Sequence, residues 1–395
     1  MGRTIAETEK QGTRERVVAS SSTVSNDNNF SRLRIDGNEY TSPQSLKMLC
    51  RPNLQFLHLQ DLPIEGMTEG TLARLPPRLI WLRLTNCDIK IKKKRTVTKM
   101  FRAIGKFVGN IGQLKKHIGE ESKLQNLDLS YSERLKKIPA TIWSLPHLQL
   151  LNLQCCRQLS KLPKTIGNLS ELQELNLEGC VSLNKLPGSI GNLSQLQDLN
   201  LGCCGQLNEL PGTIGNLSRL KSFNLQWCCN LNKLSDTIGN LSQLQYLNLE
   251  GCERLSELPY IIGNLSQLQL LNLKKCEILI SFPRTIENLS QLQHLNLEGC
   301  CQLNELPYTI GNLVQLQHLN LGGCCKLNEL PYSIGNLSRL RHLSLEGCSK
   351  LNELPYDIGN LSQLQYLNLK GCWRLTRLAD TIRDLSQLQN LDLIT

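Results

Sequence analysis

Residues 292–315, LQHLNLEGCCQLNELPYTIGNLVQ, run without a gap into residues 316–339, LQHLNLGGCCKLNELPYSIGNLSR, and the match between the two strings decides how the rest of the chain is read. Stepping outward by 24 from Leu292, the pattern Leu-x-x-Leu-x-Leu also begins at Leu124, Leu148, Leu172, Leu196, Leu220, Leu244, Leu268, Leu316, Leu340, Leu364 and Leu388, with no insertion or deletion. Residues 124–395 thus hold eleven full repeats and a terminal strand. A fixed period of this length means one structural unit stacked on copies of itself. With the first Leu of each repeat as position 0, the apolar or Cys columns fall at positions 0, 3, 5, 8, 11, 14, 18 and 21. Position 18 is Ile in all eleven repeats, and Phe223 is the one substitution at position 3.

The columns at 3 and 5 alternate as a short strand does, whereas those after the Pro are spaced by three or four, as in a helical or 3-10 turn. One repeat cannot fold by itself. Eight buried side chains at about 1.5–3 kcal/mol each barely meet a backbone entropy cost of about 1–2 kcal/mol for each of 24 residues. Stacking supplies the deficit: successive strands form a parallel sheet and the leucine columns merge into one core. The expected architecture is an α/β solenoid with a 24-residue period.

Composition narrows the function classes. Of 395 residues only 5% are aromatic and 20% charged. Apolar runs are broken every few residues by Gln, Asn or charge, so no integral membrane association is expected. The first thirty residues lack the apolar core of a secretory signal, which predicts an intracellular chain whose seventeen cysteines are thiols. Ten of these, from Cys156 to Cys372, recur every 24 residues at position 8. They read as a structural column turned inward onto loop backbone, and CxxC zinc spacing is absent. Cys155, Cys203, Cys229, Cys301 and Cys325 fall one residue off the column and are expected to be more exposed.

The strings LxxLxLxxC and LPxxIGNLSxL resemble the leucine-rich repeat of plant intracellular disease resistance proteins of the nucleotide-binding type; related repeats occur in scaffolds of small-GTPase signalling. Leu54–Leu59 and Leu79–Leu84, with Cys87 after the second, look like degenerate upstream repeats, and Phe30–Ile35 like an irregular first turn. The resemblance implies a leucine-rich repeat horseshoe with a parallel concave sheet and short helical or 3-10 convex turns. It also implies a non-catalytic recognition module for ligand sensing or autoinhibition in plant immunity. Its partner would be a pathogen effector or a host protein, or a nucleotide-binding domain in cis or in trans. The alternative is a standalone scaffold for small GTPases, kinases or phosphatases. No GxxxxGK[ST] phosphate loop occurs, and no set of catalytic residues or cofactor ligands can be assembled. The expected organisation is a disordered polar segment at 1–29, irregular repeats at 30–89, a basic amphipathic insertion at 90–123 and the regular array at 124–395. The array ends on a strand without a polar cap, which suggests a receptor fragment or an end covered by a partner.

Positions 2, 4 and 6 alternate outward from the buried leucines and form the expected concave reading surface. Twelve strands at about 4.8 Å give a face roughly 50 Å long. Position 4 is nearly always Asn, either as an amide ladder along the sheet or as a relic of repeat duplication. Position 2 varies, and its candidate partner-binding residues are Glu174, Asp198, Tyr246, His294, His318, His342 and Tyr366. Position 6 adds Glu250, Lys274, Glu298, Glu346 and Lys370. Three histidines on adjacent strands would line up rather than converge, which argues against a metal site. Tyr260, Tyr308, Tyr332 and Tyr356 at position 16 form a stripe by the convex turn.

Between Lys90 and Lys123 eleven Lys or Arg face only Glu120 and Glu121, so this stretch accounts for nearly all of the net charge of +10. A basic face along the solenoid is therefore excluded, and no nucleic-acid partner is expected. Lys92, Lys93, Lys94 and Arg95 resemble a nuclear import signal, so the expected location is cytoplasmic with import to the nucleus left open. From Val97 to Leu114 the apolar residues follow near-helical spacing between Lys99, Arg102 and Lys106. Such a helix could cover the solenoid's irregular side, touch an acidic membrane surface or fill a partner's groove.

Overall fold

In a computed structural model the described residues are 32–36, 55–60, 79–85, 123–138, 140–375 and 380–393. The segments read as a polar N-terminus and as a basic insertion, Lys92–Arg95 included, lie outside them, apart from Lys123. The chain divides into two compact units, residues 1–153 and 154–395.

The first unit contains five parallel strands in sequence order: β1 (Arg32–Asp36), β2 (Phe56–Gln60), β3 (Trp81–Thr85), β4 (Asn126–Asp128) and β5 (Leu150–Asn152). Strands thus occupy the three irregular upstream segments. Phe56 is in register with Trp81, and the two rings meet edge to face at 5.8 Å. An ion pair of 3.1 Å joins Arg83 Nε to the buried Asp128. Trp143, fully covered, fills the 3-10 turn Ala140–Ser144 where most later repeats carry Gly.

The second unit is the regular array. Its strands are β6 (Glu174–Asn176), β7 (Asp198–Asn200), β8 (Ser222–Asn224), β9 (Tyr246–Asn248) and β10 (Leu270–Asn272). They continue as β11 (His294–Asn296), β12 (His318–Asn320), β13 (His342–Ser344), β14 (Tyr366–Asn368) and β15 (Asn390–Asp392). Within this unit successive strands pair in parallel at a constant shift of 24, as in His294↔His318 and Leu295↔Leu319. After each strand from β6 to β14 the chain crosses the core and makes a 3-10 turn before the next; Tyr308–Asn312 is representative. There Pro307, extended at φ −65° and ψ 146°, opens the turn, and Leu313 N–H closes it on Ile310 O. Pro suits this place because its fixed φ is preorganised and its missing N–H would have had no partner.

The core is the stack of columns read from the sequence: Leu271, Leu273, Cys276, Leu279, Ile286, Leu289 and Leu292 all have no solvent-accessible surface. The position-8 thiols from Cys204 to Cys372 each donate to the position-5 carbonyl of the repeat before, as Cys300 Sγ does to Leu273 O at 3.2 Å. A second ladder, at position 17, runs along the turns. Thr285 donates to Tyr260 O at 2.6 Å, Thr309 to Arg284 O at 2.9 Å, and Ser333 to Tyr308 O at 2.5 Å.

Position 7 turns the chain out of the strand with a left-handed backbone. Gly fills it at 179, 251, 299, 323, 347 and 371, but Cys203 adopts φ +58° and Lys275 φ +57°. An L side chain there costs about 1–2 kcal/mol, partly offset by the extra unfolded-state freedom of Gly. Cys203→Gly should therefore stabilise the array by up to about 1 kcal/mol, seen as a higher midpoint in thermal or urea unfolding.

Candidate functional site: the sheet face of residues 154–395

The outward side chains of the second unit form three columns. At position 4 the Asn side chains do two jobs. Their Oδ1 atoms accept the backbone N–H two residues on, as Asn272 does from Lys274 and Asn320 from Gly322, at 3.1 and 3.0 Å. Their Nδ2 groups donate to the position-6 side chain of the preceding repeat. Asn200 reaches Glu178 at 3.1 Å, Asn248 reaches Gln226 at 3.2 Å, Asn272 reaches Glu250 at 3.2 Å, Asn320 reaches Glu298 at 3.2 Å and Asn368 reaches Glu346 at 3.1 Å. Where Gly202 supplies no acceptor, Asn224 turns to Asn200 Oδ1 at 3.0 Å. The ladder is mostly amide to carboxylate rather than amide to amide, and it gives the constant column a structural task.

It breaks first at Asn176, whose Oδ1 accepts Glu178 N–H but whose Nδ2 has no partner among the described residues, Gln154 being turned to Glu178, and then in two places near the middle of the array. Asn296 faces Lys274, which has no acceptor and is itself held by Glu298 at 3.1 Å, so Asn296 Nδ2 is left without a protein partner among the described residues. Ser344 replaces Asn beside Gly322, and its hydroxyl is likewise unbonded there. The breaks at Asn296 and Ser344 fall on either side of β12. Glu250, Glu298, Glu346 and Lys274, read from the sequence as contact residues, are thus already engaged in holding the face together.

Over the same strands, position 2 carries the aromatic row. The rings of His294 and His318 stack at 4.5 Å and 14°, those of His318 and His342 at 4.4 Å and 11°, and Tyr366 follows tilted at 5.9 Å. Tyr366 Oη donates to Asp392 at 3.0 Å. These rings, Asn296 and Ser344 line one open cavity of about 390 Å³. The imidazoles stack face on face instead of converging, and among the described residues no group of three or more His, Cys, Asp or Glu is placed to hold a metal. Tyr246 stands beyond Leu270, outside the cavity. Glu174 and Asp198 face one another across β6 and β7, away from the row, where partial desolvation raises both carboxyl pKa values and Asp198 raises that of Glu174 further. The sequence reading missed Asn296, Ser344 and Leu270; the signal was available by pairing each position 6 with position 4 of the next repeat.

A model of the leucine-rich repeat region matches residues 223–328 and 295–395. A solved leucine-rich repeat protein of Leptospira interrogans is 27% identical, with a TM-score of 0.67 over 93% of this chain and 85% of that one. The fold is a leucine-rich repeat solenoid. A chain of the Toll–Spätzle complex of Drosophila, 18% identical, shares the fold at a TM-score of 0.55, over 83% of this chain and 48% of that chain. No curated protein matches the chain significantly in sequence. Among the described residues no helix is long and apolar enough to cross a membrane.

The electrostatics of the leucine-rich repeat face follow from the stack. Burial lowers the pKa of His294; burial, then the neighbouring His294, His342 and Arg341, lower that of His318 from 6.5 to about 4. A His held neutral in the fold and free to protonate when unfolded favours the fold above its unfolded pKa and loses that preference as pH falls. His294 and His318 should hence be uncharged at neutral pH, and stability should drop as pH falls from 6.5 to about 4. Thermal unfolding across that window should show a shallower fall for His318→Asn than for the parent. The ladder gives a second expectation. Asn272→Ala, which strands Lys274 N–H, should cost about 1–3 kcal/mol, whereas Ser344→Ala should stay within about 0.5 kcal/mol in denaturant titration.

Proposed function

We propose that residues 154–395 are a non-catalytic protein-recognition module whose contact surface centres on the His294–His318–His342–Tyr366 row. The observation that carries this is that two of the ladder's breaks, Asn296 and Ser344, fall on the wall of the aromatic cavity. At Asn200, Asn248, Asn272, Asn320 and Asn368 the position-4 and position-6 side chains bond to one another. At β11 to β13 an amide donor and a hydroxyl are left for a partner, next to rings whose desolvation would supply binding energy. Ten strands at about 4.8 Å give a face roughly 50 Å long, large enough for a folded protein. His294 and His318, held neutral by burial, avoid the cost of burying charge on contact.

The finer reading is a ligand-sensing or autoinhibitory module of plant intracellular immunity. Its support is the repeat string, LxxLxLxxC with LPxxIGNLS, which resembles that of nucleotide-binding resistance proteins. The solved structures that support the fold are bacterial and animal, so they bear on architecture and not on this role. The ligand would be a pathogen effector or host protein, or a nucleotide-binding domain. Ten of the fifteen described thiols are buried and none is paired, which suits a reducing compartment.

A photo-crosslinking amino acid at position 318 in the full chain, expressed in its native tissue, should capture a discrete protein partner. The purified partner should then bind the His294→Ala, His318→Ala, His342→Ala triple variant at least tenfold more weakly, about 1.4 kcal/mol, with the melting temperature little changed. Equal affinity for both proteins would remove this surface from the reading.

A further inference from the structure

The turn side of residues 154–395 carries a second surface that the sheet-face reading does not use. Four repeats contain the string Glu-Leu-Pro-Tyr, at 257–260, 305–308, 329–332 and 353–356. Its Leu enters the core, and its Pro opens the 3-10 turn in the same extended conformation each time, φ −63 to −65°. Glu and Tyr, three residues apart, are consequently both set on the outside. Tyr260, Tyr308, Tyr332 and Tyr356 are 75, 56, 69 and 76% exposed, and all four Glu residues are exposed too. The backbone beneath them is pinned, since Tyr260 O and Tyr308 O accept the hydroxyls of Thr285 and Ser333 from the next turns.

Exposed tyrosine at four places on five consecutive turns is an unusual concentration for a chain with 5% aromatic residues. Tyrosine faces attract cations through the ring quadrupole, and carboxylates alongside add to that attraction. An instance of the contact is present among the described residues. In the repeat that interrupts the series, Ser281 and Arg284 stand in place of Glu and Tyr, and the Arg284 guanidinium lies over the Tyr308 ring at 5.9 Å. Glu257, Glu305, Glu329 and Glu353 make no ion pair or hydrogen bond among the described residues, and Lys326, close to Glu329 in sequence, is turned to Gln302 at 2.6 Å. From this charge complementarity we infer that the Glu–Tyr stripe docks a basic linear peptide, with Arg or Lys side chains lying over Tyr308 and Tyr332 and neutralised by the adjoining carboxylates. The recurrence of one ring and one carboxylate on four of the five turns suits an extended chain with cations at intervals.

A fluorescein-labelled (Arg-Ser)6 peptide, titrated with the full chain at low ionic strength and followed by anisotropy, tests this. Its isostere with citrulline for each Arg, which keeps shape and removes charge, should bind at least tenfold more weakly. The pair Tyr308→Ala and Tyr332→Ala should also lose at least tenfold, while the pair Tyr308→Phe and Tyr332→Phe stays within about twofold, because the ring face is retained. His318→Ala should leave this binding unchanged, so that failure here and failure of the sheet-face reading can be told apart. No binding of the Arg peptide, equal binding of the citrulline peptide, or an alanine pair with parental affinity would each overturn the proposal.

Discussion

A single 24-residue repeat has two unfinished sides, and the structure of residues 154–395 follows from the way each repeat finishes its neighbour. Strand N–H groups find carbonyls one repeat away, as Leu297 N does with Asn320 O at 2.7 Å. Thiols and turn hydroxyls make equivalent bonds deeper in the repeat and along the turns. All these contacts share one shift of register, so an inserted residue would misalign a strand, a thiol and a hydroxyl together. That explains why eleven repeats tolerate many exchanged side chains and no change in length. Stability of such an array is close to a sum of nearest-neighbour terms.

The same constraint divides the surface into positions that are occupied by structural work and positions that are free. Asn at position 4 is tied twice, once to its own strand and once to the preceding repeat, and it draws Glu at position 6 into the task. Beside the histidine row the arrangement lapses where position 6 is Lys274 or Gly322. A binding surface on this scaffold therefore need not be added to it. It arises wherever a repeat stops satisfying its neighbour and leaves the polar group to something else.

The architecture was legible in the sequence because its period is exposed by side chains that have no alternative: Leu, Ile and Cys columns with few departures, such as Phe223 at position 3 and Phe282 at position 14. The tight turn after Pro was legible for the same reason. What could not be read from one repeat were pairings between repeats. The Asn to Glu bonds span 22 residues and the hydroxyl ladder 25, and neither leaves a periodic apolar signature. The histidines were foreseen as a row on adjacent strands that lines up rather than converges; the sequence did not show that the ring faces stack at 4.4–4.5 Å. The role in plant defence came from the wording of the repeat and remains a proposal beside a fold that is shown.

The column of buried thiols has a consequence for how the array could be watched in motion. Burial pushes Cys180, Cys228, Cys300 and Cys348 up to about 12, so none offers a reactive thiolate while its repeat is closed. Cys325, one residue off the column, stays exposed. Alkylation therefore dates the opening of each repeat separately, with one clock per 24 residues and an exposed thiol as the reference for reagent speed. The protein carries its own spatial record of where the solenoid breathes, inscribed by the atoms that close its core.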